Sequence, residues 1–217
     1  MEQINYFDLE WYNRDGLDFF TISNCLNPQE MDLLAETFSE LQPQFKGNKS
    51  IGSDIENECG CVNGCNSCET PKNNAKGIFL NEVNPLPQII TKINEKYFPA
   101  LFNNSKIKEL PSSVYTSALN TESSSHLLTY YNQDNQEYKP HIDSSVITCI
   151  MWFHNGETNF TGGELYFPEF DIEVLPLHNT GIIFPSHIEH QVKPIQIIDK
   201  NRDSGRISYN IFCKHLG

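Results

Sequence analysis

The sequence predicts a mainly β chain of the α+β class, a jelly roll or barrel with helices packed on one face. Two observations predict it. Apolar residues recur at helical spacing in two stretches of the first half, while from about residue 110 onward the period falls to two. In that second part, short β-branched and aromatic runs alternate with turns rich in Gly, Pro, Asn and Asp. Two helices followed by about eight such strands fit a layered domain whose sheet closes on itself.

The first helix is expected in "ISNCLNPQEMDLLAETFSELQ". Asn27 can cap it, Pro28 suits the first helical position, and Glu30 stands three after the cap, as a capping box requires. Met31, Leu34, Phe38 and Leu41 mark one face, so the helix should run from about 28 to 42. Residues 43–77 are rich in Gly, Asn, Lys and Ser and read as a long loop or insertion. A second helix is expected in "NPLPQIITKINEKYFPAL", where Leu86, Ile89, Ile90, Ile93 and Tyr97 share a face. The candidate strands are "SSVYTSAL", "HLLTYYN", "SSVITCIMWFH", "GELYFP", "DIEVLP", "TGIIFP", "HQVKPIQII" and "GRISYNIFC".

At 217 residues the chain suits a single domain with a sizeable core. It divides into helical support over 1–109, with a Cys-rich insertion at about 46–77, and a β core over 110–217. Lys and Arg total 15 against 28 Asp and Glu, a net charge of −13. So acidic a chain is poorly suited to nucleic-acid phosphates, and solubility is the commoner reason for such a charge. No apolar run approaches the ~20 residues of a membrane span, and "MEQINYFDLE" lacks the basic and apolar regions of a secretory signal. The expectation is therefore a cytoplasmic protein with no membrane or nucleic-acid partner; nothing fixes its oligomeric state.

The chemistry-bearing residues begin with "YKPHIDSSVITCI". In an extended chain His141 and Asp143, two apart, project to one face and can grip one ion. Two histidines and a carboxylate with open positions form the usual set for a non-haem Fe(II) that must also bind O2 and a chelator. A third ligand is available in "GIIFPSHIEHQVKPI", from His187 or His190. In "SGRISYNIF", Arg206 and Ser208 again share a face, as a guanidinium and hydroxyl would for a buried dicarboxylate.

H-x-D, then H-x-V-x-P, then G-R-x-S, inside an all-β C-terminal half, resembles the Fe(II)/2-oxoglutarate-dependent dioxygenases, most of all their prolyl 4-hydroxylase-like branch. The similarity covers roughly residues 110–214, and the "NPQE" entry to the first helix resembles that branch's opening. It implies a double-stranded β-helix with N-terminal helices on one sheet. It also implies His141, Asp143 and His190 as iron ligands, since "HQVKP" matches the family's H-x-V-x-P and leaves His187 as a loop residue at the rim. Arg206 and Ser208 match the clamp on the distal carboxylate of 2-oxoglutarate, with Arg202 a rival in the polar turn "DKNRDSG". Tyr131 is expected to reach the co-substrate through its hydroxyl, and Tyr138 to pack nearby or face the substrate. Thr148, Ile150 and Trp152 share a strand face and should wall the co-substrate pocket, while "FTGGELYFPEF" matches the family's Gly-Gly strand.

The implied reaction couples decarboxylation of 2-oxoglutarate by O2, giving succinate and CO2, to hydroxylation of an unactivated C–H. Its implied requirements are Fe(II), 2-oxoglutarate and O2, with ascorbate as an accessory reductant. The substrate expected is a prolyl residue or related amino-acid side chain on a peptide. The alternatives are a free amino acid or small metabolite, or a non-catalytic metal-binding module, which would have no need of Arg206 and Ser208. Asp143, in place of a small residue, argues against halogenation. The gap between His190 and Arg206 exceeds the family's usual one and implies a long hairpin through "IIDKNRDSG".

Seven cysteines remain to be placed. Cys25, Cys149 and Cys213 sit singly in apolar surroundings, where cysteine behaves as a small hydrophobe. Cys59, Cys61, Cys65 and Cys68 crowd into "CGCVNGCNSC". Four thiolates so close can enclose Zn²⁺, although structural sites usually draw two pairs from separated knuckles. Zinc, a disulfide and free thiols in a loop flanking the site all stay open.

Overall fold

The computed structural model describes residues 8–47, 73–85, 87–93, 121–154, 158–200 and 205–215. The chain opens not on a helix but on a hairpin, β1 (Asp8–Arg14) and β2 (Leu17–Ser23). Arg14 pairs with Leu17, so Asp15 and Gly16 alone make the turn, both with positive φ (52° and 94°). An Asp-Gly pair is well suited to such a two-residue turn. α1 (Pro28–Leu41) follows, with the capping box in place: Glu30 N–H donates to Asn27 Oδ1, and Asn27 N–H to Glu30 Oε2. Then come β3 (Lys46–Gly47), β4 (Lys76–Phe79), a 3-10 turn at Leu80–Glu82 and α2 (Gln88–Lys92).

The rest is strand: β5 (Thr121–Tyr131), β6 (Tyr138–His141), β7 (Ile147–His154), β8 (Phe160–Gly162), β9 (Leu165–Phe167), β10 (Ile172–Val174), β11 (Thr180–Pro185), β12 (His190–Val192), β13 (Ile195–Ile197) and β14 (Arg206–His215). The large sheet has the order β1-β2-β11-β7-β14-β5-β4-β3; a smaller one has β10-β9-β12-β6, and β13 pairs with β8. This is the mainly β jelly roll that the period-two sequence called for.

Alternation along β7 shows how the layers form. Cys149, Met151 and Phe153 pack outward in one cluster with Leu34, Phe38 and Leu41 of α1. Ile150 and Trp152 pack inward with Ile182 and Phe184 of β11 and Leu165 and Phe167 of β9. The outer face is thus covered by the helix, and the inner face closes against the smaller sheet. No helix among the described residues is long and apolar enough to cross a membrane.

Three expectations need correction. Residues 1–109 are not helical support alone, because β1, β2, β3 and β4 join the large sheet at its two ends. "HQVKPIQII" is not one strand but two, β12 and β13, which belong to different sheets; Pro194 lies between them, where a strand would lose a ladder donor. The segment before Arg206 is not a hairpin either: β13 pairs with β8, whereas β14 pairs with β5 and β7, so the chain crosses between sheets. The expected strand "SSVYTSAL" lies outside the described residues.

Candidate active site

β6 and β12 are antiparallel neighbours, and His141 and His190 are directly paired in their register. Both imidazoles are buried, at 7% and 2% exposure. Each Nδ1 lies against the carbonyl two residues back, His141 against Lys139 O at 2.8 Å and His190 against Ile188 O at 2.9 Å. A carbonyl only accepts, so each Nδ1 carries a proton and each Nε2 is the ring nitrogen turned to Asp143, the arrangement in which a neutral imidazole offers Nε2 to a metal. Tyr138 stacks on His141 with ring centroids 3.6 Å apart and fixes that ring's plane.

Asp143 lies just past the end of β6, where its N–H donates to Ser186 O at 3.0 Å. Its Oδ1 stands 3.7 Å from His141 Nε2, and its Oδ2 stands 3.4 Å from His190 Nε2. One ligand atom from each of His141, Asp143 and His190 falls within 4.8 Å of the others. Burial alone would raise the Asp143 pKa, but the neighbouring His190 and His141 rings and the Thr148 hydroxyl together hold it below the ordinary value. The donor set fits a divalent ion with open positions: two neutral imidazoles and one carboxylate. His187, the rival third ligand, is exposed.

The triad lies on the wall of a cavity of about 570 Å³ that also reaches Tyr131, Arg206 and Ser208. Arg206 is 1% exposed. Its Nη1 donates to Ser208 Oγ at 3.3 Å, while Nε and Nη2 are buried without a hydrogen-bond partner among the described residues. Buried guanidinium nitrogens left unpaired are costly, and a carboxylate in the cavity would satisfy them bidentately. The Tyr131 ring lies under the guanidinium, 4.9 Å from Cζ to its centroid. Burial pushes the Tyr131 hydroxyl up to about 12 and draws Arg206 down to about 10, so both keep their protons at neutral pH.

Two expectations on the pocket wall change. Thr148 is on the wall, but its hydroxyl donates to Asp143 Oδ2 at 2.6 Å. It supports a carboxylate of the triad, which the sequence did not show. Trp152 shares that face but lies deeper, in the core between the sheets with Phe167 and Phe184. Arg202 and the cluster Cys59, Cys61, Cys65 and Cys68 lie outside the described residues.

Two wall residues and one buried behind the wall lie outside the expectations from sequence. Thr129 meets Ser208 in a side-chain hydrogen bond. Asn210 continues the Arg206 and Ser208 face towards the mouth, and its Nδ2 donates to Leu127 O at 3.1 Å. Ser186 bonds to both Ser145 and Thr148. Period-two reading could have found the first two, since Thr129 is two from Tyr131 and Asn210 two from Ser208. Ser186 had no local signal.

Comparison with known proteins places the resemblance in the same residues. Residues 125–214 match the family model described as the 2OG-Fe(II) oxygenase superfamily. No curated protein matches the chain in sequence. The fold is similar to viral collagen prolyl hydroxylase vCPH from Paramecium bursaria Chlorella virus-1 in its 2OG complex: TM-score 0.54, 16% identity, 90% of this chain against 96% of that one. It is also similar to a prolyl-4-hydroxylase from Pseudomonas putida, with TM-score 0.56, 11% identity and coverage of 91% and 93%. A third similar structure is NgTET1 in complex with 5mC DNA, with TM-score 0.52, 14% identity and coverage of 94% and 74%. Over residues 125–214 the chain thus resembles the 2OG-Fe(II) oxygenases, and its fold is similar to those of the two prolyl hydroxylases and of NgTET1.

Proposed function

We propose that this chain is an Fe(II)- and 2-oxoglutarate-dependent hydroxylase of a prolyl residue or a related amino-acid side chain. One observation carries the reading. A single cavity joins three convergent metal-ligand atoms to a buried guanidinium with two unpaired nitrogens. A non-catalytic metal module would have no use for the second.

In this reading His141 Nε2, His190 Nε2 and an Asp143 oxygen hold the metal and leave the remaining positions to small molecules. Arg206 binds the distal carboxylate of 2-oxoglutarate through Nε and Nη2, and Ser208, held by Thr129, supplies a hydroxyl beside it. Tyr131 braces the guanidinium from below, and its protonated hydroxyl is a donor to the same dicarboxylate. Ile150, Leu165 and Val192 line the cavity with apolar surface and limit water around the bound co-substrate. When bound, Fe(II) would supply the centre at which O2 is reduced, one oxygen atom going to the succinate formed with CO2 from 2-oxoglutarate and the other to the hydroxylated C–H. Phe79, Ile142 and Phe212 also line the cavity and offer apolar surface to the side chain to be hydroxylated. The net charge of −13 favours a peptide or small molecule over a polyphosphate partner.

Anaerobic titration with Fe(II) and 2-oxoglutarate tests the reading. The expected result is a weak metal-to-ligand charge-transfer band, followed in air by slow succinate release without substrate. Neither signal in the wild type, and no difference from His141→Ala, would overturn it. Succinate release stimulated by proline-containing peptides, but not by free amino acids, is the expected discrimination between substrate classes.

A further inference from the structure

We propose that Ser186 and Thr148 are positioning residues in a one-way chain of hydroxyls, Ser145 to Ser186 to Thr148, that presets the Asp143 carboxylate for the metal. The proposal rests on the reading of His141, Asp143 and His190 as an iron site. It gives Ser186 a role that neither the motifs nor the family match assigned, and it moves Thr148 from the co-substrate wall to the Asp143 carboxylate.

Counting protons fixes the direction of the chain, because each hydroxyl has only one to give. Thr148 Oγ1 donates to Asp143 Oδ2 at 2.6 Å, so towards Ser186 Oγ, 2.8 Å away, it can only accept. Ser186 Oγ therefore donates to Thr148 and must accept from Ser145 Oγ at 2.7 Å. Every proton points along the chain towards the carboxylate. In a buried setting such a run is mutually polarised and stronger than isolated bonds. Held through Oδ2, the carboxylate keeps Oδ1 3.7 Å from His141 Nε2 and Oδ2 3.4 Å from His190 Nε2, so it faces both imidazoles.

Ser186 also acts through its backbone. Its carbonyl accepts from Asp143 N–H at 3.0 Å, and its own N–H donates to Val146 O at 3.1 Å. It is fully buried, at 0% exposure, and both its backbone groups and its hydroxyl are bonded. Ser186 sits at the exit of β11, in the segment that leads into β12 and His190. One residue therefore staples the turn carrying Asp143 to the segment carrying the second histidine. Residues that orient metal ligands in this way typically change metal affinity or activity by about 10- to 100-fold when lost. The Thr148 hydroxyl, committed to Asp143, is not available as a donor to the co-substrate.

The test uses the full chain and Co(II), whose visible spectrum reports both affinity and coordination. Thr148→Val, nearly isosteric, should bind Co(II) roughly 10- to 100-fold more weakly than wild type, with an altered d–d spectrum. Its metal-free melting temperature should stay close to that of wild type. Thr148→Ser, which restores the hydroxyl, should recover most of the affinity. Ser186→Ala should give a smaller loss of the same kind, and it carries the test alone if Thr148→Val does not fold. Wild-type Co(II) affinity in both Thr148→Val and Ser186→Ala overturns the proposal. So does a raised KM for 2-oxoglutarate with unchanged Co(II) affinity, which would return Thr148 to the co-substrate. A wild type that binds neither Co(II) nor Fe(II) removes the iron-site reading itself, and this proposal with it.

Discussion

Gly163 and Arg206 lie so close that a β-carbon on the glycine would stand 2.8 Å from Arg206 Cδ. The glycine also has φ +75°, a conformation that side-chain-bearing residues rarely adopt. Its bare backbone lets the arginine lie flat along the cavity floor. The expected outcome for Gly163→Ala is therefore twofold: a strain cost of about 1–2 kcal/mol and a displaced guanidinium. Gly162 makes the control. Its β-carbon would meet Pro194 O at 2.2 Å, with no Arg206 atom among its nearest neighbours. Gly162→Ala should lower the melting temperature with little change in the KM for 2-oxoglutarate, and Gly163→Ala should change both. Equal KM in the two variants would show that the close approach does not set the position of Arg206.

Arg206 itself should be needed for its shape as well as its charge. Nε and Nη2 are its unpaired nitrogens, and together they present the fork that a carboxylate fits. Lysine keeps the charge but offers a single point of contact. Loss of a charge-assisted hydrogen bond costs about 1.5–3 kcal/mol, or roughly 10- to 150-fold in affinity. Arg206→Lys should raise the KM for 2-oxoglutarate towards the lower end of that range, and Arg206→Gln should exceed it. Steady-state succinate release across 2-oxoglutarate concentrations measures this. A kcat effect with constant KM would point away from co-substrate binding.

Much of this site could be read locally, and the rest could not, for identifiable reasons. His141 and Asp143 stood out because metal ligands are few in kind and their neighbours carry the strand pattern, whereas His190 was separated from His187 only by the resemblance of "HQVKP" to H-x-V-x-P. Period two put Arg206 and Ser208 on one face, and the resemblance to G-R-x-S gave them their role. The same period placed Thr148 and Trp152 on one face correctly but says nothing of depth along the strand. Thr148 meets Asp143, whereas Trp152 lies in the core. Ser186 has no local signal, since its partners Ser145 and Thr148 come from a segment distant in sequence. The β1–β2 hairpin was missed because β1 is an edge strand that buries only Leu9, so it shows no alternation, although Asp15-Gly16 marks its turn. "HQVKPIQII" read as one strand because a break between sheets leaves the local pattern unchanged.

Asp143→Asn separates the carboxylate's charge from its shape. The amide keeps the size of the side chain and can still accept from Thr148, but it neutralises the one anionic ligand of the set. Removing a ligand should cost at least as much as removing a residue that orients one, about 100-fold or more in metal affinity. Succinate release should fall in parallel, and excess Fe(II) should restore only part of it. Full activity of Asp143→Asn at stoichiometric Fe(II) would exclude the carboxylate from the metal site.

On the far side of the large sheet, His126 supplies a pH dependence of stability that is independent of the metal. It is 1% exposed on β5, and its Nδ1 lies 2.8 Å from the hydroxyl of Tyr209 on β14. Burial lowers its pKa from 6.5 to about 4, so the folded protein keeps the ring neutral where the unfolded chain would protonate it. Between those two values the unfolded state binds the extra proton, and stability falls as pH falls. The contribution is fully present above about pH 6.5, amounts to about 3 kcal/mol at most, and is lost as pH approaches 4. Urea unfolding at pH 7 and pH 4.5 should therefore show a loss of about 2–3 kcal/mol from this group. His126→Gln should be less stable at pH 7, having lost a buried partner for Tyr209, yet lose less on acidification. Parallel pH profiles for the two proteins would show that His126 does not stay neutral in the folded state.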